Sequence, residues 1–345
     1  MSRTLRSLVL ALAAVCALVA ASVIHAQDPK RADAEAAETL SAIVRVVARA
    51  VPNARSSATL GAQREGSGVL VRDGYVATIG YLVIEAEAIE VTGADGRTVP
   101  ATLAGYDHAS GFGLLKLLAP VAGKPIPLGD AKSLGERQPA LAASHAGAPE
   151  PVSLVHVVSR RPFSGSWEYL LDSAIFTYPP VMNWSGASLI GSKGELLGLG
   201  SLIVGDAMGE SAGAGGASGA PVPGNMFVPI DLLKPILEEL IANGKAGGPV
   251  RPWLGMNTEE KRGKLFVTRV SPESPADKAG VRSGDVVIAV GDDEVGSLAD
   301  FYRKVWSRGA AGVEVPLRVL QGVTVKELSL RSIDRVDYFR GKPSY

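Results

Sequence analysis

Residues 77–91 read ATIGYLVIEAEAIEV. A β-branched, apolar run ends in the small residue Gly80 and resumes as Ile89-Glu90-Val91, the pattern of a strand, a tight turn and a second strand. Similar short runs recur at Ile43–Val46, Gly68–Val71, Tyr75–Thr78, Leu114–Leu117 and Leu154–Val158. Turn-rich segments separate them, among them RDGY at 72–75 and GADGRTVP at 93–100. Many short strands with Gly, Asp and Pro turns predict an all-β barrel or sandwich. Glu85, Glu87 and Glu90 are expected on a solvated face.

The chain has 345 residues, 46% of them hydrophobic, which suits two packed domains. Lys plus Arg equals Asp plus Glu at 35 each. No overall basic field exists to recruit nucleic acid. Arg3 and Arg6 precede the uncharged run Leu8–Ile24, and Ala26 stands just before Gln27. This reads as a signal peptide over residues 1–26, so the protein is expected to be periplasmic or secreted, with no stable membrane span after cleavage. Cys16, the single cysteine, lies within that segment. The mature chain then has no disulfide, and packing must supply its stability.

Residues 27–41 form a loose or helical lead-in. The Gly/Ala/Ser-rich stretch 205–225 reads as a mobile loop. DLLKPILEELIANG, residues 231–244, reads as a helix with Asp231 as N-cap and Gly244 as its stop. GKAGGPVRP, residues 244–252, reads as a linker. Beyond it come a strand–turn–strand, a short helix in SPADKAG, the strand DVVIAV, a helix in SLADFYRKVWSRG and two final strands. In the longer helix Ser297 is the expected N-cap, with Asp300 at N3 and Leu298, Phe301, Tyr302, Val305 and Trp306 on one stripe.

RPWLGM at 251–256, VTRVSPESPADKAGVRSGDVVIAVGDDEV at 267–295 and SLADFYRKVW at 297–306 together resemble a PDZ domain of the bacterial high-temperature-requirement (HtrA/Deg) protease type. That resemblance implies that backbone N–H groups of Trp253, Leu254, Gly255 and Met256 hold a peptide's terminal carboxylate. Gly255 would let the chain turn so that successive N–H dipoles converge on an anion. The peptide would add as a strand beside Met256–Thr258, walled by the 298–307 helix. The alternative is that Trp253, Leu254 and Phe301 simply fill the core.

GSGVLV at 66–71, GYVATIGYLV at 74–83, DGRTVPATLAGYDHASGFGLLKL at 95–117 and NWSGASLIGSKGELLGLGS at 183–201 resemble the trypsin-like double-barrel domain of the same family. The implied order is a protease-fold domain at 42–243, the linker at 244–252, a PDZ domain at 253–333 and a tail at 334–345. In active members a histidine stands where Tyr81 does and an aspartate where Gly111 does. The nucleophile segment there reads Gly-Asn-Ser-Gly-Gly; here it is Asn183-Trp184-Ser185-Gly186-Ala187. The resemblance thus implies a retained nucleophile, Ser185, without its general base and orienting carboxylate, and with an oxyanion loop altered at Asn183. A serine hydroxyl without a base of near-neutral pKa is a weak nucleophile. His108, taken to lie on a strand three residues before Gly111, is expected to point away from the site. His145 and His156 lie in or near later strands.

The residues therefore predict a pseudoprotease that binds polypeptide C-termini or unfolded proteins as a quality-control factor or scaffold. An endopeptidase with a non-standard base and a regulatory subunit of an active relative are the alternatives. A homo-oligomer or an active homologous protease is the implied protein partner. No cofactor or metal site is expected.

Overall fold

The computed structural model describes residues 29–209 and 221–339. The segment read as a signal peptide, and residues 210–220 of the Gly/Ala-rich stretch, lie outside the described residues. The lead-in forms a helix, Pro29–Ser41.

Two closed barrels follow. The first holds β1 (Ile43–Ala50), β2 (Gln63–Arg72), β3 (Tyr75–Ile79), β4 (Ala86–Thr92), β5 (Thr98–Tyr106) and β6 (Phe112–Leu117), in the order β1-β2-β3-β6-β5-β4. The second holds β7 (Pro139–Ala143), β8 (Val152–Gly165), β9 (Tyr169–Tyr178), β10 (Ser188–Ile190), β11 (Leu196–Val204) and β12 (Gly224–Pro229), in the order β10-β11-β12-β9-β8-β7. Closure leaves no free sheet edge. Alternate residues point inward: on β8, Val155 and Val157 are fully buried while His156 between them is exposed. Phe112, Leu114 and Leu115 fill the first barrel, and Phe176, Phe227 and Leu189 the second. The Ser67 N–H donates to the Ser185 carbonyl at 2.8 Å, tying the nucleophile segment of one barrel to β2 of the other.

The third unit is one sheet of β13 (Met256–Lys261), β14 (Lys264–Val270), β15 (Val286–Val290), β16 (Asp293–Glu294), β17 (Glu314–Gln321) and β18 (Thr324–Arg331). Its longer helix, Leu298–Trp306, begins where the Ser297 side chain accepts the Asp300 N–H at 3.1 Å. That helix buries Leu298, Phe301, Tyr302 and Val305. The fold is thus mainly β, two trypsin-like barrels and a PDZ unit.

Three local expectations change. The helix read over 231–244 is α-helical only at Leu237–Asn243, after a 3₁₀ turn at Ile230–Leu232. Pro235 lacks an N–H and crowds the carbonyl one turn back, so the first half cannot be regular α-helix. Asp231 is not its cap and instead pairs with Lys234. Gly244 does end it, at φ +73°. Glu85 is not on a solvated face. It is 6% exposed and accepts N–H bonds from Arg55 at 3.1 Å and Ser56 at 2.7 Å. The tail begins as a short helix, Arg335–Tyr338, whose Tyr338 ring lies 4.6 Å from that of Trp253.

Phe112 lies at the start of β6, paired with Ile79 just before Tyr81. Phe112→Ala is expected to destabilise the barrels by about 3–5 kcal/mol, the usual cost of emptying a buried phenylalanine site. Urea unfolding followed by tryptophan fluorescence measures it.

Candidate functional site

Tyr81 sits in the 3₁₀ turn Gly80–Leu82 that ends β3. Arg64 holds the back of that turn: its guanidinium donates to the carbonyls of Tyr81 at 3.1 Å and Ile84 at 2.6 Å. It also donates to Ser56 Oγ at 2.7 Å, and Ser56 in turn donates to the Glu85 carboxylate. This largely buried ionic network fixes where the Tyr81 ring points.

The phenol oxygen lies 2.9 Å from Ser185 Oγ and 2.9 Å from the Ser201 backbone oxygen. A carbonyl can only accept, so the single phenol proton goes to Ser201. The Ser185 hydroxyl then donates to the phenol oxygen. Burial pushes the phenol up to about 12, with the hydrogen bond to Ser185 opposing the shift.

Gly111 supplies no side chain to orient a base. It lies in a turn, with its carbonyl accepting the Gly80 N–H at 2.7 Å and its own N–H bonded to the Asp107 carbonyl at 2.8 Å. Its φ is +80°, and an added Cβ would stand 3.3 Å from the Tyr169 hydroxyl. Tyr169 fills the space beside it and donates to the Ser110 carbonyl at 2.5 Å. Asn183 is tied through its side-chain amide to the Pro149 carbonyl. Gly186, at φ +73°, has room for no Cβ: one would lie 1.9 Å from the Ser67 oxygen.

No described histidine hydrogen-bonds the Tyr81 or Ser185 hydroxyl, although the His145 backbone N–H donates to Ser67 Oγ at 3.0 Å, beside the Ser185 segment. His108 is not on a strand but in the Asp107–Gly111 turn. It packs edge-on against Tyr106 at 4.2 Å and over Phe339 at 6.0 Å. Burial, with Arg335 nearby, holds it well below the ordinary imidazole range. His145 Nε2 stands 3.7 Å from Glu65. A cleft of about 730 Å³ between the barrels and the PDZ unit takes in His108, Arg251 and Trp306, but neither Tyr81 nor Ser185.

The second predicted site is the 253–256 loop. The N–H groups of Leu254, Gly255 and Met256 converge on one carboxylate, at 2.9, 2.7 and 3.1 Å. That carboxylate belongs to Glu168, at the tip between β8 and β9. Trp253 does not join them: its N–H is spent on the Ile333 carbonyl at 3.0 Å, and its ring is 6% exposed against Tyr338. Gly255 has φ +86°, and a Cβ would lie 2.2 Å from Ser274 Cβ. No other residue type fits there without moving the loop. Glu168, Tyr169 and Ser201 are not legible as site residues in the sequence, and Tyr302 is legible there only as part of its helix's apolar stripe. Their roles here carry no local signal, because each acts on a segment distant along the chain.

Comparison with known proteins agrees with this architecture. A trypsin-like peptidase domain matches residues 66–199 and a PDZ domain matches residues 252–331. The chain is of the HtrA/Deg type, a trypsin-like serine protease fold followed by a PDZ domain. A probable periplasmic serine protease do/HhoA-like of Haemophilus influenzae is 29% identical over 74% of this chain and 55% of its own length. The serine endoprotease DegS of the same organism is 27% identical over 66% of this chain and 65% of its own. The periplasmic pH-dependent serine endoprotease DegQ of Escherichia coli is 27% identical over 74% and 56%. This HtrA/Deg-type chain thus spans between half and two thirds of the length of these relatives. Among solved structures, the serine endoprotease from Yersinia pestis superposes with a TM-score of 0.51 at 22% identity, covering 88% of this chain and 97% of that one. The HtrA-type protease AlgW with a decapeptide gives 0.52 at 19% identity, covering 90% and 98%. Both likenesses concern the fold. No group of three metal-ligating side chains occurs among the described residues, and no described helix is long and apolar enough to cross a membrane.

Glu168 gives a pH prediction. Burial raises its carboxyl to about 6, against the opposing pull of three N–H bonds and Arg335. A raised folded-state pKa contributes stability that is full below about 4.5 and is lost as pH rises through about 6. Glu168→Gln does not titrate. The stability of the Gln variant relative to wild type is therefore expected to rise between pH 4.5 and 7, as chemical denaturation across that range measures.

Proposed function

We propose that this exported HtrA/Deg-type protein has lost serine-protease turnover and works by binding polypeptide chains, its PDZ domain taking their free C-termini. The observation that carries this reading is the Tyr81–Ser185 contact. Tyr81 Oη stands 2.9 Å from Ser185 Oγ, within reach for proton transfer, but it is the wrong acid–base group. With a pKa of about 12, roughly one phenol in 10⁵ is ionised at pH 7. The neutral phenol cannot hold a second proton in water, so the serine proton has nowhere to go when the hydroxyl attacks. The Tyr81 proton is already committed to the Ser201 carbonyl. Gly111 offers no carboxylate, and its φ of +80° opposes placing one there.

The binding role rests on the anion cradle of Leu254, Gly255 and Met256, which already holds a carboxylate. The named periplasmic relatives support an envelope location. Together these favour a chaperone-like or scaffolding role toward unfolded or terminal segments.

Losing triad members in a serine protease lowers turnover by roughly four to six orders of magnitude. A fluorophosphonate probe is expected to leave Ser185 unlabelled at neutral pH, and casein turnover is expected to match that of Ser185→Ala. Labelling of the unmodified protein that Ser185→Ala abolishes would overturn the proposal. Tyr81→His with Gly111→Asp is expected to restore little, because an aspartate introduced at that glycine would be strained in the left-handed region.

A further inference from the structure

We infer that the PDZ groove is occupied by the protein's own chain: the β8–β9 tip, Gly165–Glu168, is an internal ligand that an incoming C-terminal peptide must displace. This rests on the reading above that the groove takes peptide carboxylates, and it adds what fills the groove beforehand.

The tip makes the carboxylate contacts and one of the ladder contacts that strand addition uses. The Glu168 carboxylate takes the place of a terminal carboxylate, accepting the N–H groups of Leu254, Gly255 and Met256. Two residues earlier, the Ser166 carbonyl accepts the Thr258 N–H at 2.9 Å, a ladder bond to β13. On the opposite wall, Tyr302 of the Leu298–Trp306 helix donates to the Gly165 carbonyl at 2.7 Å and accepts the Glu168 N–H at 3.2 Å. Arg335 closes the end by donating to the Trp167 carbonyl at 3.3 Å. Leu170, on the face of β9 turned away from the barrel core that takes Tyr169 and Leu171, is buried within the PDZ hydrophobic core. The tip thus meets the anion cradle, one N–H on the free edge of β13 and the helix wall at once.

The backbone of the tip is bent to do this. Glu168 has φ +60°, a left-handed conformation that a non-glycine residue adopts at some cost. An internal ligand lowers apparent affinity for an external one by the ratio of closed to open forms. The chemistry of the competitor follows from the mimic: an extended segment with a free α-carboxylate, able to donate to and accept from β13.

The test uses the purified protein and two readouts. Amide hydrogen exchange is measured at 254–258 in wild type, Glu168→Ala, Glu168→Gln and Tyr302→Phe without peptide. Binding is measured with a fluorescein-labelled octapeptide ending in valine, as the free acid and as the amide. Protection of these amides is expected in wild type, loss of it in Glu168→Ala, and intermediate exchange in Glu168→Gln and in Tyr302→Phe, which keeps the carboxylate. The free-acid peptide is expected to bind Glu168→Ala at least about tenfold more tightly than wild type, and the amide to bind neither. Unchanged exchange in Glu168→Ala and Tyr302→Phe, or equal peptide affinity in wild type and Glu168→Ala, would overturn the internal ligand while leaving the peptide-binding reading intact. Faster exchange with no peptide bound by either protein would support the internal ligand and overturn the peptide-binding reading.

Discussion

A buried carboxylate joins the two halves of this molecule. Taking Glu168 out of water costs several kcal/mol. Three backbone N–H groups offset that cost, each such bond to a charged group contributing about 1.5–3 kcal/mol. Only a tip held at one place satisfies all three at once, so the bond set fixes the PDZ unit against the second barrel. The Tyr302 and Arg335 contacts and the burial of Leu170 follow from that placement. The residue after Glu168 is Tyr169, whose hydroxyl reaches the Ser110 carbonyl beside Gly111. The PDZ groove and the turn that carries Gly111 therefore meet in one pair of consecutive residues.

On the proposed function, the site around Ser185 keeps a shape and loses a chemistry. A phenol fills the position from which a base would act and satisfies the serine hydroxyl with a hydrogen bond of ordinary length. Burial moves its pKa away from neutrality rather than toward it. The Arg64–Ser56–Glu85 network that orients the turn is intact and largely buried. On that reading, the scaffold holds at this position a phenol that does not take the serine proton.

Much of this is legible in the amino-acid sequence. Strand periodicity and turn residues give the mainly β character, because alternation along a strand directly reports which face is buried, while the two fold units are legible through the motifs that resemble the HtrA/Deg type. Gly255 is readable as a turn that gathers N–H groups, and it proves to have no room for a Cβ. The Ser297 cap and the apolar stripe of its helix follow from local rules alone. Periodicity overstates the helix at 231–244, because it carries no penalty for Pro235. Glu85 departs from its expected place because a charged residue in an alternating run is by default solvated. Arg55, Ser56 and Arg64, folded around it, make burial tolerable.

The sequence by itself determined the two domains, the residue types at 81, 111, 183 and 185, and a glycine turn able to gather N–H groups around an anion. These depend on local spacing and residue chemistry, which the chain carries with it. The tertiary structure alone decided that Trp253 turns its N–H to Ile333 and that His108 is locked against Tyr106 and Phe339. It also decided that the anion in the cradle is Glu168, a residue 87 positions away from Gly255. Such a pairing leaves no periodic trace, because its energy comes from desolvation and convergent hydrogen bonds that exist only once the two domains are packed together.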